Sequence, residues 1–237
     1  MGGEILVSVI KEFEVEFLTS NCEAIYTSGE HITIGISPFT SKYNRDYINK
    51  VIKWANDNFS NMTILLAGKE STNILECLGT PEVKAKRKVR KELNRQKRFC
   101  EEALMSVGNY ACEIYTFSDF QNDENYQEVF EQVCNNYLND LDFKNNCLKM
   151  SKQALESKAK NMGISVENIT RSDLEHASQY VLAELPFFLK SNSIFNVRKT
   201  ILAYHDNWDL GEQIQNGHFD LSIDQNQGYV ILNEMGE

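Results

Sequence analysis

A chain of 237 residues, 42% of them hydrophobic, holds enough apolar material for a sizeable core, yet no stretch approaches the roughly 18 apolar residues of a membrane span. Met1 to Lys11 lack the basic-then-apolar order of a secretory leader, and the six cysteines form no C-x-x-C pair and have no histidine at metal-ligand spacing. These features exclude a disulfide scaffold and a zinc site, and they place the chain in the cytoplasm with buried thiols. The formal net charge of −10 argues against a nucleic-acid partner until its distribution is considered: Lys84 to Arg98 contain nine basic residues and one acid, so this stretch carries +8 and the rest of the chain −18.

In chain order, short apolar runs at Ile32–Ile36, Met62–Ala67, Cys112–Thr116, Thr200–Tyr204 and Tyr229–Leu232 read as strands buried on both faces. Helical patterns lie between them. Asn44–Asn58 carries Tyr47, Ile48, Val51, Ile52, Trp54 and Ala55 at helical spacing. Pro81 opens a long helix to about Val107, with Thr80 as its cap and Gly108 as its stop. Ser118–Leu138 and Asp140–Lys160 follow as two further helices. Ser172 and Glu175 have the spacing of a capping box for another, which Pro186 should end or kink. Three prolines and no linker or repeat imply one domain over residues 1–237. The alternation predicts an α/β fold, a Rossmann-type parallel sheet flanked by helices. No G-x-G-x-x-G or P-loop follows the first strand, so no nucleotide cofactor is expected, and no metal.

Three groups of residues carry chemistry. Ser37 follows Ile34-Gly35-Ile36 at a strand end, where such sheets place ligands; it reads as a nucleophile or as an ordinary loop hydroxyl, and either His31 or His205 could approach it. On the long helix, Lys84, Arg87, Lys88, Lys91, Arg95 and Arg98 share one face, Arg90 and Lys97 (with Lys86) widen it, and Ala85, Val89, Leu93, Cys100 and Leu104 form the opposite apolar stripe. Like charges at this spacing repel, so the stripe is either a solvated face or a dock for a phosphate backbone, and it lacks the aromatics that read bases. Tyr180 and Glu184, four residues apart in an apolar segment, share a helix face; the carboxylate either pairs with a neighbouring helix or awaits a substrate's ammonium group. Tyr204-His205 ends another strand. Lys149-Met150-Ser151-Lys152 imitates an ATP-site loop of class I tRNA synthetases but falls in a helical pattern, and is read as coincidence.

In their order and spacing, Gly29-Glu30-His31, Gly35-Ile36-Ser37, the basic helix ending in Ser106-Val107-Gly108, Tyr180-Val181-Leu182-Ala183-Glu184 and Tyr204-His205 resemble the cyclodipeptide synthases. The resemblance spans most of the chain. It implies a fold similar to the catalytic domain of class I tyrosyl- and tryptophanyl-tRNA synthetases, and an enzyme that joins aminoacyl groups from two charged tRNAs into a cyclic dipeptide without ATP or another cofactor. By the same resemblance Ser37 accepts the first aminoacyl group as an ester, Tyr180 and Glu184 hold its ammonium group, and Tyr204 serves the later steps. Thr33, Gly35, Phe117, Phe187 and Leu202 surround the first side chain, an apolar setting suited to Leu, Phe or Met, and His205 and Thr40 lie close by. The basic helix carries tRNA, and the protein is expected to act as a monomer with neither membrane nor DNA partner. Thr40 departs from the family's Tyr-His branch, which usually has Asn there; a threonine keeps a hydroxyl but loses the amide's paired donor and acceptor. The alternatives are an ATP-dependent synthetase-like ligase, separable by ATP binding, and a non-catalytic tRNA-binding module, which would have no use for Ser37, Glu184 and Tyr204 together.

Overall fold

The computed structural model describes residues 12–18, 20–164, 169–204 and 208–235; the leader reading of Met1 to Lys11, and His205, fall outside them. Six strands form one sheet in the order β1-β6-β5-β2-β3-β4, with β1 at Phe13–Phe17, β2 at His31–Ile36, β3 at Asn61–Leu66, β4 at Glu113–Thr116, β5 at Thr200–Tyr204 and β6 at Gln227–Glu234. Five of them run parallel, and β1 pairs antiparallel with β6 at one edge. The five strands expected from the sequence form a parallel sheet, and an unexpected antiparallel edge strand is added to it. The edge strand alternates Phe13, Val15 and Phe17 against exposed Glu14 and Glu16, the two-residue period of a strand with one wet face, and so escapes a search for continuous apolar runs.

Each face of the sheet has its own helical layer. Ile32, Ile34, Ile36 and Ile64 pack on α2 (Arg45–Asn58) and on the Cys100 to Leu104 end of α4 (Glu82–Ser106). The opposite face, with Leu202, Tyr204, Tyr229 and Ile231, meets α5 (Glu124–Asn139), α6 (Leu141–Met162), α7 (Arg171–Ile194) and α8 (Asp209–Gln215). Short helices α1 (Ser20–Thr27) and α3 (Ser71–Cys77) complete the set. Among the described residues no helix is long and apolar enough to cross a membrane.

Asn44 caps α2, its side chain accepting from Tyr47 N at 3.0 Å. Gly108, at φ 71°, lets the chain turn left-handed after α4, while Asn109 N donates back to Leu104 O. Thr80 is not the cap of α4. Its N–H closes the end of α3 on Leu75 O, and Pro81 takes the cap position with no side-chain bond. The expected helix Ser118–Leu138 divides, because a capping box between Thr116 and Asp119 starts a 3-10 turn at Phe117–Phe120 and Asp123 then caps α5. The capping box of α7 is Thr170–Asp173, not Ser172–Glu175; Thr170 is the last extended residue, and Glu175 pairs with Lys144 instead. Pro186 does not end α7, and the chain stays helical at it; the kink in this helix falls four residues on, at Lys190. The segment around Pro186 is buried on every side, and that packing outweighs the one backbone bond a proline forfeits.

Candidate active site

The strand order brings together residues far apart in the chain. β2 continues outward through β3 and β4, and the chain then returns to lay β5 on the other side of β2. That reversal creates a crevice at the carboxyl ends of β2 and β5, the position where open α/β sheets bind ligands. Ser37 stands just past β2 and Tyr204 ends β5, and their hydroxyl groups are hydrogen-bonded. Gly35 makes room for this pair: a Cβ there would lie 3.2 Å from Cδ2 of the Tyr204 ring.

The middle of α7 delivers the other two groups. The Tyr180 hydroxyl group is held well above its ordinary pKa by burial and then by Glu184 and Tyr204, while a hydrogen bond with Ser37 acts in the opposite direction. Glu184, one helical turn on, is pushed up to about 8 by burial and enters no ion pair found among the described residues. Burial thus favours the protonated form of a carboxyl group that stands beside two phenols and a serine.

Two cavities meet at these groups. One, of about 230 Å³, is lined by Ser37, Thr40, Tyr180, Glu184 and Tyr204, with Lys158 and the apolar Met150 and Trp208 on its far side. The other is an apolar cleft of about 10 Å³, lined by Gly35, Phe117, Phe187 and Leu202 and reaching Glu184 and Tyr204. Phe117 and Phe187 are stacked across it at 5.3 Å.

Not every expected residue joins the site. Thr33 is fully buried, bonded to Thr200 at 3.2 Å, and lines neither cavity; it sits one pleat below Gly35 on the same face, covered by the sheet's own neighbours. His31 lies at the opposite end of β2, about 20 Å of strand from Ser37. Its ring lies between Thr200 at 2.8 Å and Thr63 at 3.1 Å, and burial lowers its pKa to about 4, so it acts as a neutral structural group. Thr40 does line the larger cavity, and its Oγ accepts from Lys42 N at 3.4 Å. The Lys149–Lys152 tetrapeptide is helical, with Ser151 buried against Cys147 O at 2.8 Å. Among the described residues no cluster of histidine, cysteine and carboxylate groups could hold a metal ion.

Three residues that sequence reasoning missed lie against the serine's turn: Gln96 and Glu92 on α4, and Lys158 on α6. Gln96 had a signal, a glutamine in register with the apolar stripe of Ala85, Val89, Leu93 and Cys100. Burial lowers the Lys158 pKa to about 8, opposed by the charge of Glu92.

The outer face of α4 is the basic stripe in fact. Lys84, Arg87, Arg90, Lys91, Arg95, Lys97 and Arg98 are exposed and Lys88 half-buried. Arg95 pairs with Glu92 at 2.6 Å and Arg98 with Glu102 at 3.8 Å. Lys84, Arg87, Lys88, Arg90, Lys91 and Lys97 take part in none of the ion pairs found among the described residues.

Comparison with known proteins places this arrangement. Residues 13–234 match the family model described as cyclodipeptide synthase. A cyclo(L-leucyl-L-leucyl) synthase of Staphylococcus haemolyticus is 51% identical, covering 96% of this chain and 97% of its own, and one of Bacillus subtilis is 43% identical over 100% and 96%. The solved structure of a cyclodipeptide synthase from S. haemolyticus superposes with a TM-score of 0.89 at 49% identity, over 95% of this chain and all of its own. More distant structures share the fold. One is from Mycobacterium tuberculosis, described as relating cyclodipeptide synthetases to type I tRNA synthetases (24% identity, TM-score 0.83, 99% of each chain). Another, from Candidatus Glomeribacter gigasporarum, was solved bound to Phe-tRNA (11% identity, TM-score 0.58, 87% and 89%).

Proposed function

We propose, for a chain that belongs to the cyclodipeptide synthase family, that it builds a cyclic dipeptide from two leucyl groups carried by tRNA, through an ester on Ser37. The observation that carries the reading is the meeting of the Ser37 and Tyr204 hydroxyl groups with Tyr180 and Glu184 at the switch point of the sheet. Ser37 Oγ attacks the first aminoacyl carbonyl, a new C–O bond forms as the bond to the tRNA ribose oxygen breaks, and the serine proton passes through the tyrosine hydroxyls to that oxygen. The acyl amine, oriented by Tyr180 and Glu184, then attacks the second aminoacyl ester and releases the second tRNA. The terminal amine of the dipeptidyl ester finally attacks the Ser37 ester, closing the ring and freeing the serine. The aminoacyl ester arrives activated, so no step needs ATP.

Leucine is supported by the names of the two curated relatives and by the apolar cleft at Gly35, Phe117, Phe187 and Leu202. Burying a leucyl side chain there stabilises the complex by about 1.5–3 kcal/mol, against which the two stacked phenylalanines must part. Incubation of the protein with Leu-tRNA should yield the leucyl diketopiperazine by mass spectrometry; a product made chiefly of charged or amide residues would rule this specificity out.

The basic stripe, comprising Lys84, Arg87, Lys88, Arg90, Lys91, Arg95, Lys97 and Arg98, serves as the dock for the tRNA backbone. With about four phosphates neutralised, a fourfold rise in salt should weaken tRNA binding on the order of a hundredfold. Arg87→Glu with Lys91→Glu, neither in an ion pair found among the described residues, should raise the apparent KM for Leu-tRNA and leave the melting temperature in place. Unchanged kinetics in that variant would make the stripe a solvated face.

A further inference from the structure

The turn Ser37–Phe39 has three consecutive backbone groups engaged by side chains. The Ser37 carbonyl accepts from Gln96 Nε2 at 2.9 Å, the Pro38 carbonyl accepts from the Lys158 ammonium group, and the Phe39 N–H donates to Glu92 Oε1 at 3.4 Å. Phe39 has φ 60°, a left-handed conformation unfavourable for a residue with a side chain, so the turn persists only because its surroundings over-determine it. Gln96 and Glu92 stand four residues apart on α4, and Glu92 also binds Arg95 of the basic stripe.

Gln96 is the informative member. It is fully buried, in helical register with buried Val89 and Cys100, and among the described residues its Oε1 atom has no hydrogen-bond partner. A residue present only for packing would be better as leucine or methionine, because an unsatisfied buried acceptor costs free energy. What the amide does is hold the carbonyl of the serine itself.

We propose that Gln96 is a positioning residue for Ser37, the central contact of a Gln96–Lys158–Glu92 cradle that fixes the nucleophile on the helix whose outer face docks tRNA. This rests on Ser37 being the acylated residue. The cradle gives α4 two roles, one on each side: its arginines and lysines set where the charged end of the tRNA lies, and its inner polar residues set where the attacking oxygen lies. Both are therefore referred to one rigid element, and a shift of about 1 Å between reacting atoms can cost a hundredfold in rate.

The test compares Gln96→Met with wild type in single-turnover loading from Leu-tRNA, read by intact mass, alongside tRNA binding and thermal melting. The expected result is loading slowed by at least about tenfold, with tRNA affinity unchanged and the melting temperature equal or higher. A lower melting temperature with undiminished loading per folded molecule would show that Gln96 is structural and overturn the proposal. Should the methionine variant fail to fold, Lys158→Met provides the same measurement at the adjacent carbonyl, and full-rate loading there would also overturn the cradle. Wild type that takes no label on Ser37 overturns the nucleophile reading, and the role of Gln96 with it; a labelled wild type matched by an equally fast variant removes only the latter.

Discussion

Ser37→Ala should yield no cyclic dipeptide and no acyl-enzyme. The intact mass of the wild-type protein should rise by one leucyl residue after exposure to Leu-tRNA, while that of the variant should not. Loss of a covalent nucleophile can cost as much as about 10⁶ in kcat, so a fall of at least about 10⁴-fold is expected. Among the described residues no cysteine thiol is placed to substitute. None of the six cysteines is in a disulfide, and none lines the cavity that holds Ser37. Burial holds Cys77 up at about 11 and Cys112 and Cys147 at about 12, which keeps them as unreactive thiols. The substitution removes one partly buried oxygen and no backbone contact, since Gln96 binds the main-chain carbonyl, and the melting temperature should barely change. A label recovered on a cysteine, or diketopiperazine formed at the wild-type rate, would sink the mechanism.

Glu184→Gln is expected to separate activity from stability. With its pKa raised from 4.5 to about 8, the folded protein keeps this proton over a range in which the unfolded chain has released it. Unfolding therefore releases a proton between about pH 4.5 and 8, and the stability of wild type falls as pH rises through that window, by on the order of a few kcal/mol in full. Glutamine has no such proton. The variant should match wild type near pH 5 and melt at a higher temperature near pH 8.5. Its activity goes the other way. A substrate ammonium group stabilises the carboxylate form, and a hydrogen bond to a charged group contributes about 1.5–3 kcal/mol against about 0.5–1.5 for a neutral one. Cyclic dipeptide formation should fall at least about tenfold, and further where the same carboxylate takes a proton from the attacking amine. A sharply lower melting temperature with activity per folded molecule intact would make Glu184 a structural partner instead.

Much of this molecule is decided by residues close in sequence. The buried strands, the stripe of α2, the left-handed stop at Gly108 and the separation of basic and apolar faces on α4 follow from periodicity and local caps, forces acting over a few residues. The same holds for Ser37 at a strand end and for Tyr180 and Glu184 one turn apart. Where two local signals competed, as for Thr170 and Ser172 at the start of α7, sequence alone had no means of choosing, because the winner depends on which residue the packed helix leaves extended.

Only the tertiary structure decided the chemistry. Ser37 and Tyr204 are separated by 167 positions and meet because the chain reverses its strand order between β2 and β5. Lys158 reaches Pro38 across 120 positions, and Gln96 reaches Ser37 across 59. The elevated pKa of Glu184 exists only when α7 is packed against the sheet, since desolvation belongs to the surroundings and not to the residue. Thr33 and His31 look equivalent to their site neighbours as letters in β2, yet pleat and strand length place one beneath the site and the other at the far end of the sheet. Sequence period determines which face a residue occupies; strand order and burial determine what it meets there, because those are set by contacts the chain makes with itself at long range.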